Sequence, residues 1–363
     1  MSAIRFVHTD YLRLGSPING LADGPAWFQQ LTAEAVRRAT CNVIETAIAQ
    51  EADFLLIAGS VCETSEDLRP VATWLAEQFQ LLKNRGIKIV ARAQNAAEAT
   101  VLSDICDVVL TDHQTLTSSV GFDGRVSLAA SNHAGTTGDL VISIDGAAGT
   151  YAEKLGYNAV PALKPAEHQS SVLGAWRSIS AGAVQSLNKD ETWDCSCVVV
   201  DVDVADSEIR TSRVSCDVLR FTTEEVSIEN RTISVSDLVA EILHASSALQ
   251  RRSSQTVVAN WNIKADVLAD TAELSKLSEA SLLAQLRQQL HGGHHGVWPQ
   301  SVSFASDSVL RIANAQDTVV THFAEMMATP WAKGRGVSRL SETGCAEISS
   351  EYLAGLELLQ RVA

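Results

Sequence analysis

The sequence predicts an α/β protein, and three features of its 363 residues support this prediction. The first half alternates short apolar runs with longer segments in which apolar residues recur at helical spacing. From about residue 107 short strands follow one another, which is typical of a second sheet packed on the first. In the C-terminal third, amphipathic helices flank a strand, which predicts a small α+β region.

The first half contains three strands separated by helices, with Gly86 before the third strand. The predicted strands are Ile4 to Thr9, Phe54 to Ala58 and Ile87 to Ala91, and the predicted helices are Leu31 to Ala52 and Leu68 to Asn84. This order indicates a sheet buried on both faces. Functional loops are then expected at the carboxyl ends of the strands.

The remainder divides into a strand-rich segment and a helical one. Strands are predicted at 108–110, 126–128, 140–144, 195–204 and 256–263, and helices at 235–250, 277–290, 306–327 and 348–362. We therefore predict three regions: 1–230 as the main domain, 231–325 as a smaller domain, and 326–363 as a C-terminal helical segment.

Composition restricts the function classes. A net charge of −15 lowers the expectation of strong independent DNA binding, which normally needs a basic surface. No apolar run reaches the length of a membrane span, and no basic and apolar leader precedes the first strand. Seven scattered cysteines suit reduced, buried thiols. These features predict a cytoplasmic protein without a membrane partner.

Two strand ends resemble a known enzyme family. His8-Thr9-Asp10-Tyr11-Leu12-Arg13-Leu14-Gly15 and Ile57-Ala58-Gly59-Ser60 resemble the SbcD-like DNA-repair exonucleases of the calcineurin-like metallophosphoesterase superfamily. In that family the first strand ends in His-x-x-Asp-x-His-Leu-Gly and the second in Gly-Asp. Further similar segments are 155–158, 181–186 and 217–221. The resemblance covers about residues 4–230 and implies a four-layer calcineurin-like sandwich, a small α+β capping region and C-terminal helices.

The resemblance also implies that most metal ligands have been replaced. The family's first Asp falls on Tyr11, its first His on Arg13 and its bridging Asp on Ser60. Its leaving-group His falls on Ala96, a strand-end His on Asp145, and the first His of a final His-x-His on Ala166. Asn95, Asp145 and His168 remain as a vestigial set that could hold one manganese ion weakly. No cofactor is otherwise expected, because two adjacent cations need a bridging negative charge.

The expected function is therefore that of a degenerate SbcD-like subunit with little or no nuclease activity. Members of the family act with an SbcC-like coiled-coil ATPase, so DNA would be reached through that complex. Helical spacing places Tyr352 and Leu356 on one apolar stripe, which makes them candidate partner contacts. The same stripe could equally pack on its own domain.

Two alternatives are an active metal-dependent phosphoesterase, with Asp10 and Glu63 as substitute ligands, and an anion or small-ligand binding module around Arg13. The loop from His291 to His295 is interpreted as a flexible glycine turn rather than a metal site.

Overall fold

The computed structural model describes residues 4–21, 24–111, 126–130, 140–144, 155–169, 176–229, 234–269, 278–290, 296–304 and 310–312. Helices and strands alternate along the first half, so the predicted α/β class is confirmed. The described residues form two compact units. Of the described residues, those within 4–226, 242–262 and 279–303 form the first unit, and those within 227–241, 263–278 and 304–312 form the second. The boundaries expected at residues 230 and 325 stay predictions.

A mixed six-stranded sheet lies at the centre of the first unit. Its order is β11 (Glu208–Ser215), β10 (Ser196–Asp203), β1 (Ile4–Thr9), β2 (Phe54–Ile57), β3 (Lys88–Ala93) and β4 (Val108–Thr111). Strands β1 to β4 are parallel, whereas β10 runs antiparallel to β1 and to β11. The parallel strands bring their carboxyl ends to one edge, and the candidate site lies there.

Three helices cover one face of this sheet: α1 (Ala26–Ala49), α2 (Ser65–Lys83) and α3 (Ala96–Ile105). Because strand side chains alternate between faces, Val7 of β1 and Leu55 of β2 point toward these helices. Helix α3 was not expected. The sequence signal for it is Asn95 followed three residues later by Glu98, a capping pattern.

A second sheet packs against the opposite face. It is ordered β5 (Val126–Ala130), β6 (Leu140–Ile144), β7 (Leu155–Ala159), β9 (Trp176–Ser180) and β8 (Ala166–Gln169), with only β8 antiparallel. Phe6 stacks on Phe54 at 4.6 Å and meets Tyr157 edge-on at 5.1 Å in the shared core. The described residues thus supply three layers: helices, sheet and sheet.

A third sheet contains β12 (Leu219–Glu229), β13 (Thr256–Ala269) and β14 (Val297–Phe304), with β15 (Leu310–Ile312) paired to β13. The accompanying helices are α4 (Val235–Arg252) and α5 (Glu279–Gln289), which confirms both predicted amphipathic helices. The helices expected at 306–327 and 348–362 lie outside the described residues. No described helix is long and apolar enough to cross a membrane.

Candidate functional site

The candidate site is the edge of the six-stranded sheet where β1, β2 and β3 end. There the backbone of Gly59 approaches that of Asp10, and its N–H donates to the Asp10 carbonyl at 3.0 Å. A Cβ atom at Gly59 would lie only 2.6 Å from that carbonyl oxygen, so the position requires glycine. Tyr11 then forms a parallel bridge with Ala183. These contacts bring the loops after β1, β2 and β9 together.

Asp10 is fully buried, and its carboxylate accepts four hydrogen bonds. One oxygen accepts from Nε2 of His8 at 2.8 Å. The other accepts from the Ser180 hydroxyl at 2.9 Å and from the backbone N–H groups of Gly182 at 3.0 Å and Ala162 at 3.2 Å. Because a carboxylate offers about four lone-pair sites, these four donors fill its capacity to accept hydrogen bonds. Asp10 therefore holds the loops around β8 and β9 onto β1.

His8 continues this hydrogen-bond chain into the second sheet. Its Nδ1 lies 2.7 Å from the hydroxyl oxygen of Tyr157. Since the carboxylate of Asp10 can only accept, Nε2 carries the proton, and in the neutral ring Nδ1 accepts from the Tyr157 O–H. The order tyrosine, histidine, aspartate resembles a catalytic relay, but His8, Asp10 and Tyr157 have no exposed surface. The chain of bonds therefore joins the two sheets and does not face a substrate.

Arg13 is buried between two carboxylates. Its backbone has a φ of 56°, and its guanidinium donates to Glu191 at 2.7 Å and to Glu63 at 3.0 and 3.2 Å. Glu191 is itself buried, whereas the Glu63 side chain is 52% exposed. Two negative partners compensate the charge of Arg13. The arrangement gives no support to the prediction that Arg13 binds an anion.

The same contacts bear on the alternative in which Asp10 and Glu63 serve as substitute metal ligands. Glu63 accepts hydrogen bonds from Arg13, and Asp10 accepts from its four internal donors. Ser60 is buried, and its backbone carbonyl accepts from Leu12. Asp10 and Glu63 thus each have a structural partner, and this geometry does not favour them as a substitute ligand pair.

Asn95 caps helix α3. Its side-chain oxygen accepts from the backbone N–H of Glu98 at 2.9 Å, and the Glu98 carboxylate accepts from the backbone N–H of Gln94 at 2.8 Å. Such reciprocal bonds satisfy amide groups that the first turn of a helix leaves unpaired. Burial is the main cause of a raised pKa for Glu98. Asn95 therefore has a sufficient structural role without any metal ion.

The remaining predicted ligands are described only in part. His168 lies on β8 opposite Ser178, and its side chain is outside the described residues, as is all of Asp145. The partner candidates Tyr352 and Leu356 and the loop from His291 to His295 also lie outside them.

Cys195 and Cys197 are both free and buried in the described structure, in agreement with the reduced, buried thiols that the sequence predicts. The thiol of Cys195 lies 3.2 Å from the Ser186 hydroxyl, and burial raises its pKa to about 12. A thiol that stays protonated is a poor nucleophile and a poor metal ligand.

The described residues do not fit a two-metal centre. In the alignment that the resemblance implies, the neutral Ser60 falls on the bridging position, and Arg13, whose guanidinium is paired with Glu63 and Glu191, has no lone pair to offer a metal ion. In the part of the chain that the structure describes, no three His, Cys, Asp or Glu side chains converge as a metal site would require.

Sequence reasoning missed two buried participants, Glu191 and Tyr157. Glu191 occurs in an ordinary polar loop, Asn188-Lys189-Asp190-Glu191, and nothing in that pattern indicates burial. For Tyr157 a weak signal exists. His8 shares the sheet face of Ile4 and Phe6, so a polar partner from another element had to be present.

No protein-family model matches the chain, and no curated protein matches it significantly. A family assignment therefore depends on the strand-end segments and on the order of the described elements.

Proposed function

We propose that this chain is a degenerate SbcD-like subunit of the calcineurin-like metallophosphoesterase superfamily, with little or no nuclease activity. In this proposal it adopts the family's four-layer sandwich, acts in the cytoplasm, and binds an SbcC-like coiled-coil ATPase through which DNA is reached. Support for the fold comes from the helix layer and the two packed sheets, together with the strand-end segments of β1 and β2.

The observation that carries the proposal is the internal use of strand-end side chains. Arg13 lies between two carboxylates, and Asn95 caps a helix. Asp10, the acid nearest the lost first ligand, accepts from four internal donors. A metal ion would have to compete with each of these bonds. The same positions that would assemble a reactive centre instead stabilise the loops.

The proposed loss of nuclease activity follows from the charges at the positions of the metal ligands. Two divalent ions about 3.5 to 4 Å apart repel each other unless a carboxylate lies between them. A neutral Ser60 hydroxyl does not replace that carboxylate, and Ala96 cannot donate a proton to a leaving group. Without these groups the fold can still present surfaces that bind other molecules, and this favours recognition over catalysis.

The first experiment tests catalysis. The purified full chain, incubated with manganese, should hydrolyse single- and double-stranded DNA no faster than buffer, and should contain fewer than two metal ions per chain. Asn95→Ser is the matched variant, because serine can still cap α3 but lacks the amide oxygen. Robust hydrolysis by the natural chain that disappears in Asn95→Ser would contradict the proposal.

A gain-of-function variant complements this experiment. Tyr11→Asp, Arg13→His, Ser60→Asp, Ala96→His, Asp145→His and Ala166→His together restore the ligand set that the resemblance implies. Detectable manganese-dependent hydrolysis by this variant would support descent from an active enzyme.

The second experiment tests the partner. Tyr352→Asp combined with Leu356→Asp should release a co-expressed SbcC-like ATPase in a pull-down, because large apolar anchors carry much of the binding energy of interfaces. Glu351→Ala, off the apolar stripe, is the control and should leave binding unchanged. If the double variant unfolds the chain, or if the ATPase stays bound, the proposed docking helix is wrong.

A further inference from the structure

A second site candidate lies in the first unit, away from the strand ends. Two adjoining hollows of about 620 and 190 Å³ share four lining residues: Gly24, Leu283, Arg287 and Trp298. We call the combined hollow the α5 cleft. The volume of the larger hollow falls in the range of roughly 300 to 1,000 Å³ that is typical of small-molecule sites.

Aromatic packing fixes the cleft wall. The Trp298 ring stacks on Phe28 at 4.9 Å and meets Trp27 edge-on at 6.4 Å. The guanidinium of Arg287 also lies over the Trp298 ring, 5.2 Å from the ring centroid. Stacking of this kind holds an arginine head group in one place, so that a ligand would meet a preorganised cation.

Arg287 also lacks a charged partner in the part of the chain that the structure describes. Its Nε donates to the Pro299 carbonyl at 3.1 Å and its Nη2 to the Gln300 carbonyl at 3.3 Å. A guanidinium has five N–H donors, so these bonds leave three of them for other partners. Arg13, by contrast, has two carboxylates. In a chain of net charge −15, Arg287 is a fixed positive charge beside a hollow.

The other walls are apolar. Pro25 lines one side, and Ala280, Leu283 and Ala284 line the side formed by α5. Ala280 and Ala284 are exposed and one helical turn apart, so among the described residues their small side chains leave the cleft open. A cation without a charged partner in the described residues, at one end of an apolar hollow, favours a ligand that has an acid group and an apolar body.

From these contacts we propose that the α5 cleft binds small amphipathic carboxylates, with the acid group on Arg287 and the apolar body along Leu283 and Ala284. Recognition requires both parts. The charge alone would be hydrated in water, and an apolar body alone would leave the guanidinium without its anion.

The test is a ligand-observed NMR titration of the full chain with octanoate, 1-octanol and acetate. Octanoate carries both the acid and the apolar chain, and the other two probes each lack one of them. We expect octanoate to bind at least about tenfold more tightly than either probe. Equal affinity for octanoate and 1-octanol, or no binding of octanoate, would overturn the proposal.

Variants locate the binding site. Arg287→Gln should weaken octanoate binding by about tenfold or more, and Arg287→Lys, which keeps the charge, should weaken it less. Ala284→Trp fills the cleft from an exposed position and should abolish binding even if Arg287→Gln proves unstable. Arg38→Gln, which removes an exposed arginine of α1, is the control and should not change the affinity. Unchanged octanoate affinity in folded Ala284→Trp would show that the ligand binds elsewhere.

Discussion

Replacing Asp10 by asparagine should destabilise the protein strongly, because the buried carboxylate satisfies four donors at once. Asparagine has nearly the same shape but offers one accepting oxygen and places an NH₂ group toward the remaining donors. The Ser180 hydroxyl has a second acceptor, the Lys164 carbonyl at 3.2 Å, and can turn to it. The other three donors cannot all be satisfied by one amide oxygen.

The expected magnitude follows from that count. If the amide oxygen takes the Oδ2 position, it keeps the Gly182 and Ala162 donors, and the NH₂ group faces Nε2 of His8, so one buried donor is left at about 1 to 3 kcal/mol. The free energy of unfolding should therefore fall by about 1 to 3 kcal/mol, and the loss of charge-assisted hydrogen bonds adds to this. Asp206→Asn, at an exposed position, is the control and should change it by less than about 0.5 kcal/mol.

Urea unfolding followed by tryptophan fluorescence, with and without manganese chloride, tests whether Asp10 has this structural role or instead holds a metal ion. A ligand that binds only the folded protein raises its unfolding free energy. If Asp10 holds a metal ion, manganese should stabilise the natural chain and not Asp10→Asn. That result, or a loss below about 1 kcal/mol in Asp10→Asn, would refute the structural role assigned to the carboxylate.

Three further predictions follow from the same contacts. Arg13→Met should lower the unfolding free energy by about 3 to 5 kcal/mol, because it leaves the buried Glu191 carboxylate without its cation, whereas Glu63→Gln, at a more exposed position, should cost less than about 1 kcal/mol. Similar losses for the two variants in urea unfolding would contradict this ranking. Asn95→Ala should cost about 1 kcal/mol and speed amide hydrogen exchange in the first turn of α3, and unchanged exchange would argue against the cap. Burial raises the pKa of Cys62 from its ordinary value of 9.0 to about 12, so native protein at pH 8.5 should react with iodoacetamide at the half-buried Cys41 before it reacts at Cys62. Because unfolded thiols ionise at lower pH, the stability contributed by the neutral Cys62 thiol should decrease as the pH rises from about 9 to 12, and peptide mapping with pH-dependent unfolding checks both statements.

Much of the fold could be predicted from the sequence because periodicity reports burial directly. Leu140–Ile144 matches the predicted strand, and the five apolar residues of Phe54 to Ala58 give β2 with its following turn. Boundaries were less accurate. Helix α1 begins at Ala26, five residues before the predicted Leu31, since Phe28 packs into a core formed by distant strands. Periodicity within one segment carries no information about such a partner.

The candidate site, like the fold, could be predicted from the sequence only in part. The sequence by itself determined which chemical groups stand at the strand ends: a tyrosine, an arginine and a serine, none of which supplies the carboxylate or imidazole ligands of a two-metal centre. Only the tertiary structure decided what these loops do instead. It brought Glu191 to Arg13 across 178 residues and Ser180 to Asp10 across 170. The physical reason is that a buried charge must find partners, and those partners are set by the packing of whole sheets rather than by neighbours along the chain.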